Sequence, residues 1–401
     1  MCRCAIGPFA FGFLVSADEF STCDVFATSA THHRCVFGST PSPLIVLKSW
    51  TKQRRDRPKD RHVGAVSAKD RPQKRAAMDG GKRLWLEESI QENLKWMYTV
   101  DNILHKEASK FQDVELIESG PFGKVLLLDG KLQSAEADEF VYHESLVHPA
   151  LLHHPNPKKV FIMGGGEGST AREVLLHKSV EKVVMVDIDE VVVQFCKKHL
   201  DANHEAFEDP RLKVIISDAR KELMESDEDF DVIIGDLADP VYGGPCYQLY
   251  TQEFYETVVK KKLSPGGIFV TQSGPGGILS HTEVFTSINR TLATVFPTVI
   301  GYATHLPSFA DTWSWNMAFT SPDQKLLDAD EINARISMRL SKELGFLDGA
   351  TMRSIASLNK HVRRGIEKEE HIYTLENPKF IHGQGLQQEK FLEEQRNSIQ
   401  G

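Results

Sequence analysis

A strand–loop–helix–strand pattern in the middle of the sequence restricts the fold more than any other feature. An apolar run at residues 160–163 leads into the glycine-rich loop GGGEG, and a helical stretch and a second apolar run at 183–186 follow. The glycines, Gly164 and Gly166 among them, let the backbone turn tightly and approach a ligand. Asp187 ends the second run, where an acid can accept hydrogen bonds from both ribose hydroxyls. We therefore predict a βαβ unit that binds a nucleoside.

The loop also contains an unexpected charge, Glu167. The start of a helix favours anions, so a glutamate there disfavours a ligand with a phosphate or a carboxylate. It suits a nucleoside whose tail ends in an ammonium group. The alternative is that Glu167 is solvated or caps the following helix.

Two further aspartates follow predicted strands. Strands expected at residues 212–217 and 231–235 end at Asp218 and Asp236. Parallel strands of an open α/β sheet bind ligands at their carboxyl ends, so these aspartates should share one crevice with the two acids of the βαβ unit. Like charges in a desolvated site are unfavourable unless a cation binds. A magnesium site is the alternative, although its carboxylates usually lie closer together in sequence.

Upstream, the sequence predicts a small β domain. Residues 85–96 have helical spacing, and strands are expected at 111–117, 124–128 and 131–133, joined by glycine-containing turns. A helix at 140–153 should lead into the first parallel strand.

Downstream, strands and helices alternate, with helices expected at 191–200, 254–263 and 283–295 and a strand at 267–272. This order predicts an α/β fold, with a doubly wound, mostly parallel sheet of the methyltransferase-like Rossmann type after a small antiparallel β domain. The predicted domains are an extension at 1–83, the β domain at 84–145, the catalytic domain at 146–330, and a helical segment and tail at 331–401.

Charge is divided unevenly along the chain. Residues 1–77 contain 13 Lys and Arg against 6 Asp and Glu, which leaves 34 of the 47 basic and 50 of the 56 acidic residues for the rest. The remainder thus has a net charge of −16, which attracts a cationic substrate and disfavours nucleic acid. The basic run at 52–75 has the charge to contact nucleic acid, but we favour the interpretation that it is a solvated tail.

The first 77 residues differ from the rest in composition and contain four of the six cysteines. They are interpreted as a transit peptide, a disordered tail, or sequence upstream of a start at Met78. Cys196 and Cys246 are far apart, which indicates neither a zinc site nor a disulfide framework. We predict a cytoplasmic location, with a plastid as the alternative if residues 1–77 are a transit peptide. No apolar run is long enough to cross a membrane.

Several motifs between residues 84 and 385 resemble the aminopropyltransferases, the spermidine and spermine synthase family, and most closely its thermospermine synthase branch. The motifs are FQD (111–113), GKV (123–125), DEFVYHE (138–144), HPNPK (154–158), GGGEG (164–168) and GDLADPVYGGPCYQ (235–248). The resemblance implies transfer of an aminopropyl group from decarboxylated S-adenosylmethionine to a polyamine nitrogen. That donor has an amine and no carboxylate, in agreement with the interpretation of Glu167.

The resemblance also implies roles for individual residues. Asp236 should be the catalytic proton acceptor. The donor should contact Gln112, Gly164, Gly166, Glu167, Asp187, Asp218 and Ala219, with Glu167 on its ammonium group and Asp218 and Ala219 on its adenine. Tyr142, His143 and Asp239 should orient the amine substrate. No metal or cofactor is expected, because the sulfonium of the donor is already a good leaving group.

Spermidine synthases have a Tyr-Pro-Ser turn where this chain has Leu306-Pro307-Ser308. The change disfavours putrescine as the acceptor and favours spermidine, with thermospermine as the product. Asp311 is expected either to pair with an acceptor amine or to be structural. Spermine or spermidine synthase, a small-molecule methyltransferase and a polyamine-binding protein are the alternatives. We expect a homodimer or homotetramer with a small polyamine substrate, and neither nucleic acid nor membrane as a partner.

Overall fold

A computed structural model describes residues 84–91, 94–241 and 244–381. The predicted extension at 1–83 lies outside these residues. Among the helices that the structure describes, none combines the length and the apolar character that crossing a bilayer requires.

The first two strands, β1 (Leu84–Gln91) and β2 (Leu94–Val100), form an antiparallel pair. The predicted helix over residues 85–96 is therefore wrong. From Leu94 onward the apolar residues alternate, and alternate residues of a strand face the same side. Tyr98 is buried in a small core against which Leu86 and Val100 pack. The pairing of β1 with β2 and the burial of Tyr98 therefore decide the structure over the helical spacing of residues 85–96.

A four-stranded antiparallel sheet follows, and it confirms the predicted small β domain. Its strands are β3 (Asn102–Ala108), β4 (Asp113–Ser119), β5 (Gly123–Leu128) and β6 (Lys131–Ala135). Asp129 and Gly130 connect the last two strands with φ values of 50° and 71°. Positive φ at both central residues is what a type I′ hairpin turn requires, which explains the Asp-Gly pair.

The main sheet has seven strands and is mostly parallel, as predicted. Its strands are β7 (Lys159–Gly164), β8 (Lys182–Asp187), β9 (Leu212–Ile216), β10 (Phe230–Asp236), β11 (Leu263–Pro275), β12 (Thr298–Leu306) and β13 (Asp311–Phe319). They lie in the order β12-β13-β11-β10-β7-β8-β9. The five strands β7 to β11 are parallel, and the β12–β13 hairpin, which the sequence analysis did not predict, adds antiparallel strands at one edge.

Helices cover both faces of this sheet. They are α1 (Glu139–His153), α2 (Ser169–Leu175), α3 (Glu190–His199), α4 (His204–Glu208), α5 (Ala219–Glu225), α6 (Gln252–Phe254), α7 (Lys260–Lys262), α8 (Phe285–Val295), α9 (Ala329–Arg339), α10 (Gly349–Ala356) and α11 (Lys360–Lys368). A π-helical turn, Tyr255–Val259, joins α6 to α7, so the predicted helix at 254–263 is present with a distorted centre.

Alternate residues of the central strand β7 belong to two different cores. Val160 and Ile162 pack with α1 and α2, whereas Phe161 and Met163 pack on the other face. This alternation is the period of a strand that is buried on both sides. The sheet is doubly wound, and the chain reverses its direction of winding between β7 and β10. Ligands bind at this switch point in folds of this type.

Candidate active site

A cleft of about 660 Å³ opens at the carboxyl ends of the parallel strands. All the predicted site residues line it: Gln112, Tyr142, His143, Gly164, Gly166, Glu167, Asp187, Asp218, Ala219, Asp236 and Asp239. Residues 127 positions apart in the sequence are therefore gathered in one place by the sheet topology.

The glycine loop brings two strand ends together. Gly164 has φ +77°, and a Cβ atom there would lie 2.2 Å from the main-chain oxygen of Asp236. A Cβ atom on Gly166 would lie 2.6 Å from Oδ2 of Asp187. The Gly166 amide instead donates a hydrogen bond of 2.9 Å to that carboxylate oxygen. Only glycine permits these approaches, so the loop holds the acids of the cleft in position.

Asp187 and Gln112 are held by a hydrogen-bond network at the end of β8. The second oxygen of Asp187, Oδ1, accepts a bond of 2.8 Å from the Asp189 amide. The Asp189 carboxylate caps α3, and its Oδ2 accepts bonds from Gln112 Nε2 at 3.0 Å and Ser109 Oγ at 2.7 Å. Burial raises the pKa of Asp187, although its two amide donors oppose the effect. A ligand with hydroxyl donors would stabilise its charged form.

Asp218 and Ala219 lie at the start of α5. The Asp218 carboxylate caps this helix by accepting a 3.1 Å bond from the Lys221 amide. Arg220 and Lys110 also line the cleft, so this side of the cleft contains basic side chains as well. Six carboxylates, those of Asp129, Glu167, Asp187, Asp218, Asp236 and Asp239, nevertheless face these two basic side chains and His143.

Glu167 lies in the wall of the cleft with its carboxylate held by hydroxyl groups. Oε1 accepts bonds from Ser134 Oγ at 3.0 Å and from Ser169 Oγ at 2.6 Å. Burial raises the pKa of Glu167, although the nearby His143 and the two hydroxyl donors partly oppose this effect. Among the described hydrogen bonds, none joins this carboxylate to the helix amides, so the capping alternative is not supported. The carboxylate is instead a partly desolvated anion that a cation would stabilise.

Asp236 ends β10 next to the loop. Its Oδ1 accepts a 2.9 Å bond from the Tyr142 hydroxyl, and its Oδ2 accepts a 2.6 Å bond from Thr170 Oγ1. Burial and the Asp236 charge hold the pKa of Tyr142 well above its ordinary value, so the phenol remains a donor. Each carboxylate oxygen keeps a second lone pair. Asp236 is therefore oriented by the protein and still able to accept a proton from a ligand.

His143 is a buried cation. Its Nδ1 lies 2.7 Å from Oε2 of Glu139, one helical turn earlier. Burial favours the neutral ring, but this hydrogen bond and the charges of Glu167, Glu139 and Asp236 raise the pKa of His143 to about 9. Burial also opposes ionisation of Glu139, yet His143 and Arg172 lower the pKa of that carboxyl to about 2. Both groups are charged at neutral pH.

Asp239 follows Asp236 on the loop after β10. Burial raises its pKa to about 6, against the effect of a 3.1 Å bond that Gln272 Nε2 donates to Oδ1. Gln272 is the last residue of β11 before its register with β13 shifts. It also donates a hydrogen bond of 2.8 Å to the main-chain oxygen of Leu237. The loop carrying Asp239 is thus fixed to the neighbouring strand.

Two family patterns match consecutive parts of the chain. The spermidine synthase tetramerisation domain matches residues 84–136, and the spermine/spermidine synthase domain matches residues 139–330. The chain belongs to the spermine/spermidine synthase family. The resemblance found in the motifs is confirmed.

Relatives in this family align with most of the chain. The thermospermine synthase ACAULIS5 of Arabidopsis thaliana is 54% identical over 302 residues, which cover 75% of this chain and 88% of that protein. A polyamine aminopropyltransferase of Aeropyrum pernix is 43% identical and covers 74% of this chain and 95% of its own length. A crystal structure of spermidine synthase with the transition-state analogue AdoDATO superposes with a TM-score of 0.65 at 30% identity, over 71% of this chain and 96% of that one.

A group of three side chains in this family member has the spacing of metal ligands. One ligand atom each from Glu139, His143 and Glu167 lies within 4.8 Å of the others. Glu139 already receives two bonds of 2.9 Å from Arg172. The Arg172 guanidinium therefore already neutralises the Glu139 carboxylate, in the place where a metal ion would otherwise supply positive charge. Of the four acids of the magnesium alternative, Glu167 belongs to this group, whereas Asp187, Asp218 and Asp236 do not.

The sequence analysis missed the groups that orient the acids. Thr170, Ser134 and Gln272 contact Asp236, Glu167 and Asp239 respectively. Thr170 could have been found, because it lies only two residues after the glycine loop. The other two come from distant strands, and nothing in their local sequence indicates the contact.

The two residues expected on the acceptor side, Leu306 and Asp311, lie outside the residues that line the cleft. Leu306 is buried in the main core and is not among the residues that line the cleft. Leu306 therefore offers no contact in the cleft in place of the tyrosine of spermidine synthases, and the expected preference for spermidine over putrescine stays a prediction. Asp311 accepts bonds from Ser280 Oγ and from the Thr312 amide at 2.6 Å, and it does not line the cleft either. Its structural interpretation fits these contacts.

Proposed function

We propose that this protein is a thermospermine synthase. It transfers the aminopropyl group of decarboxylated S-adenosylmethionine to the aminopropyl-end nitrogen of spermidine and releases 5′-methylthioadenosine. The observation that carries the proposal is the position of Glu167, a half-buried carboxylate beside the glycine loop. An amine-tailed nucleoside complements this charge, whereas the carboxylate of S-adenosylmethionine would be repelled.

The contacts in the cleft support a division of roles for the donor. Asp187, with two oxygens fixed by backbone amides, would accept the ribose hydroxyls. Gln112 would contact the donor from the side of the small β domain, and Asp218 and Ala219 would hold its adenine. Gly164 and Gly166 keep the backbone close to the nucleoside. Glu167 would bind the ammonium group of the tail.

Asp236 would accept the proton from the attacking nitrogen. A primary alkylamine resembles lysine, whose pKa is near 10.4, so its deprotonation at pH 7 costs about 4–5 kcal/mol. Only the neutral amine can attack the carbon beside the sulfonium. Tyr142 and Thr170 hold Asp236 in place, and a base positioned in this way takes the proton as attack proceeds. Tyr142, His143 and Asp239 would orient the acceptor.

The choice of spermidine as acceptor is supported by the relative that is 54% identical and named a thermospermine synthase. The Leu237-Ala238 pair, where spermidine synthases carry two serines, supports the same branch. Leu237 is buried and its main-chain oxygen is bound by Gln272. The proposal for the acceptor therefore depends on the loop after Asp236.

A product assay tests the proposal. We expect the full-length protein, given decarboxylated S-adenosylmethionine and spermidine, to form thermospermine, and to form little product with putrescine. Thermospermine and spermine are isomers, so chromatography must be combined with mass fragmentation. Spermine as the main product, or spermidine made from putrescine, would contradict the acceptor assignment. Absence of product with both amines would contradict the proposed enzyme class.

The charged carboxylate of Asp239 should lower the stability of the ligand-free fold and strengthen binding of the amine substrate. Its folded-state pKa of about 6 lies above the usual 3.8, so the protonated side chain stabilises the fold below pH 4, and this contribution is lost as pH rises through 6. Asp239→Asn should therefore raise the Tm of the ligand-free protein at pH 8, with a smaller gain at pH 5. It should also raise the KM for the amine. Differential scanning calorimetry at both pH values and initial rates would measure these effects.

Asp323→Asn provides the matched control, because Asp323 is exposed on the segment after β13. It should change neither Tm nor KM. An equal change of Tm at pH 5 and pH 8 in Asp239→Asn would show that the effect is not electrostatic.

We further propose a homo-oligomer, a dimer or a tetramer. The matched tetramerisation domain supports oligomer formation. Its strands expose large apolar side chains, namely those of Leu84, Trp85, Leu94, Met97 and Ile103. Large apolar side chains exposed on the strands of this domain fit an interface with another protein chain. The partner is thus another copy of this chain, and we propose no nucleic acid or membrane as a partner.

The cytoplasmic location and its plastid alternative stay predictions, because residues 1–83 lie outside the described ranges.

A further inference from the structure

Arg172 occupies a central position behind the wall of the cleft. It belongs to α2 and lines a smaller cavity of about 140 Å³ that adjoins Glu167. Its side chain is 19% exposed and faces three partners. Nη2 donates to both carboxylate oxygens of Glu139 at 2.9 Å, Nε donates to Oε1 of Glu173 at 2.9 Å, and Nη1 donates to Oδ1 of Asn203 at 2.8 Å.

One branch of this network leads to His143. Glu139 presents Oε2 to His143 Nδ1 at 2.7 Å while it is bound by the guanidinium. Arg172 thus balances the charge of Glu139 and fixes its orientation. His143, which lines the cleft, depends on this carboxylate for its position.

The other branch leads to Glu167. Asn203 Nδ2 donates to the main-chain oxygen of Glu167 at 3.0 Å and to Ser169 Oγ at 2.9 Å. Ser169 in turn donates to Oε1 of Glu167 at 2.6 Å. The backbone and the carboxylate of Glu167 are both held by groups that Arg172 orients.

Arginine suits this place better than lysine does. Its planar fork holds several acceptors in fixed directions, whereas an ammonium group is a point charge on a flexible chain. Burial opposes its charge, yet Glu139 and Glu173 raise the pKa of Arg172. The guanidinium therefore remains charged between two carboxylates that would otherwise repel each other.

We propose that Arg172 is a positioning residue that fixes Glu167 and His143 relative to each other and thereby sets the affinity of the cleft for the cationic tail of the donor. The inference rests on the proposed function, because it assumes a donor with an ammonium tail. Arg172 itself lies outside the residues that line the main cleft. Its effect on the ligand is transmitted through Glu139, Asn203 and Ser169.

The test compares two ligands that differ in the tail. Decarboxylated S-adenosylmethionine carries the aminopropyl ammonium group, whereas 5′-methylthioadenosine has the same nucleoside without it. In Arg172→Met, the Kd of the first ligand should rise at least about tenfold, as expected when hydrogen bonds to a charged group are lost, while the Kd of the second changes less than about twofold. Isothermal titration calorimetry measures both constants.

Two further variants sharpen the comparison. Arg172→Lys keeps the charge and loses the fork, so its effect should be intermediate and selective for the same ligand. Arg335→Met is the matched control, because Arg335 is 20% exposed, pairs with Glu331 and binds main-chain oxygens at the end of α1. It should change neither Kd.

Equal weakening of both ligands in Arg172→Met, or no weakening of either, would overturn the inference. If that variant does not fold, Asn203→Ala removes one branch alone, and a loss confined to the cationic ligand is still expected. An unselective effect of Asn203→Ala would also overturn it. If the wild-type protein is active in the product assay, an unselective effect of these variants contradicts only the role of Arg172 and leaves the proposed function intact. An inactive wild-type protein would overturn both the proposed function and the role of Arg172.

Discussion

Replacing Asp236 by asparagine is expected to reduce kcat by about 10²–10⁴-fold, the usual contribution of a positioned base. The amide has nearly the shape of the carboxylate and can still accept a hydrogen bond from Tyr142 or Thr170. It cannot accept the proton of the attacking nitrogen. Donor binding should be largely unchanged, because the groups assigned to the nucleoside are intact. Steady-state rates with saturating spermidine and calorimetric titration of the donor measure the two quantities.

The matched control for this variant is Asp229→Asn. Asp229 is exposed and directly precedes β10, the strand that ends at Asp236. The same chemical change at the other end of the strand should leave kcat unchanged. Turnover by Asp236→Asn equal to that of the wild type would remove Asp236 from its role as the base. A large loss of donor affinity would indicate instead that the cleft had rearranged.

Much of the main sheet could be predicted because its strands are buried on both faces. Such strands appear as short continuous apolar runs, as at β7 and β8, and helices separate them in sequence. The β12–β13 hairpin was missed because its pattern is mixed. In β13 the first residues, Asp311 and Thr312, are polar, and the buried apolar residues come only afterwards. Pairing with β11 stabilises this strand, and pairing is a tertiary property.

The acids of the site could be predicted, but the network that orients them could not. An aspartate at the end of an apolar run is visible in the sequence, since parallel strands end at one edge of a sheet. Ser134 and Asn203 reach Glu167 from β6 and from the turn before α4. Serine and asparagine are common on surfaces and in turns. Their identity therefore does not distinguish a buried hydrogen bond from an exposed one.

The electrostatics of the cleft connects binding with selectivity. Burial raises the pKa of Glu167, Asp187 and Asp239, so each charged carboxylate is destabilised in the ligand-free protein. A cationic or hydroxyl-bearing ligand relieves this destabilisation by supplying a partner. The protein thus has affinity for amines because its site is unfavourable without them. A substrate with an added carboxylate would gain nothing from the same groups and would be repelled by Glu167.

Replacing Glu167 by glutamine tests this selectivity. Glutamine keeps the length of the side chain and can accept the hydroxyl bonds of Ser134 and Ser169, but it carries no charge. We expect the Kd of decarboxylated S-adenosylmethionine to rise about 10–100-fold, as for loss of a charged hydrogen-bond partner. The Kd of S-adenosylmethionine should stay the same or fall, because the repulsion of its carboxylate is removed. The ratio of the two constants, measured by calorimetry, should therefore shrink.

Glu190→Gln is the control for the loss of a negative charge near this site. Glu190 is exposed in the first turn of α3, next to the cap residue Asp189, and does not line the cleft. Its effect on both constants should be small, because exposed charges are screened by solvent and salt. If Glu167→Gln leaves the ratio of the two constants unchanged, Glu167 does not select the donor by charge. Discrimination would then have to come from the shape of the cleft. In that case the carboxylate of S-adenosylmethionine would be rejected because of its size and not because of its charge.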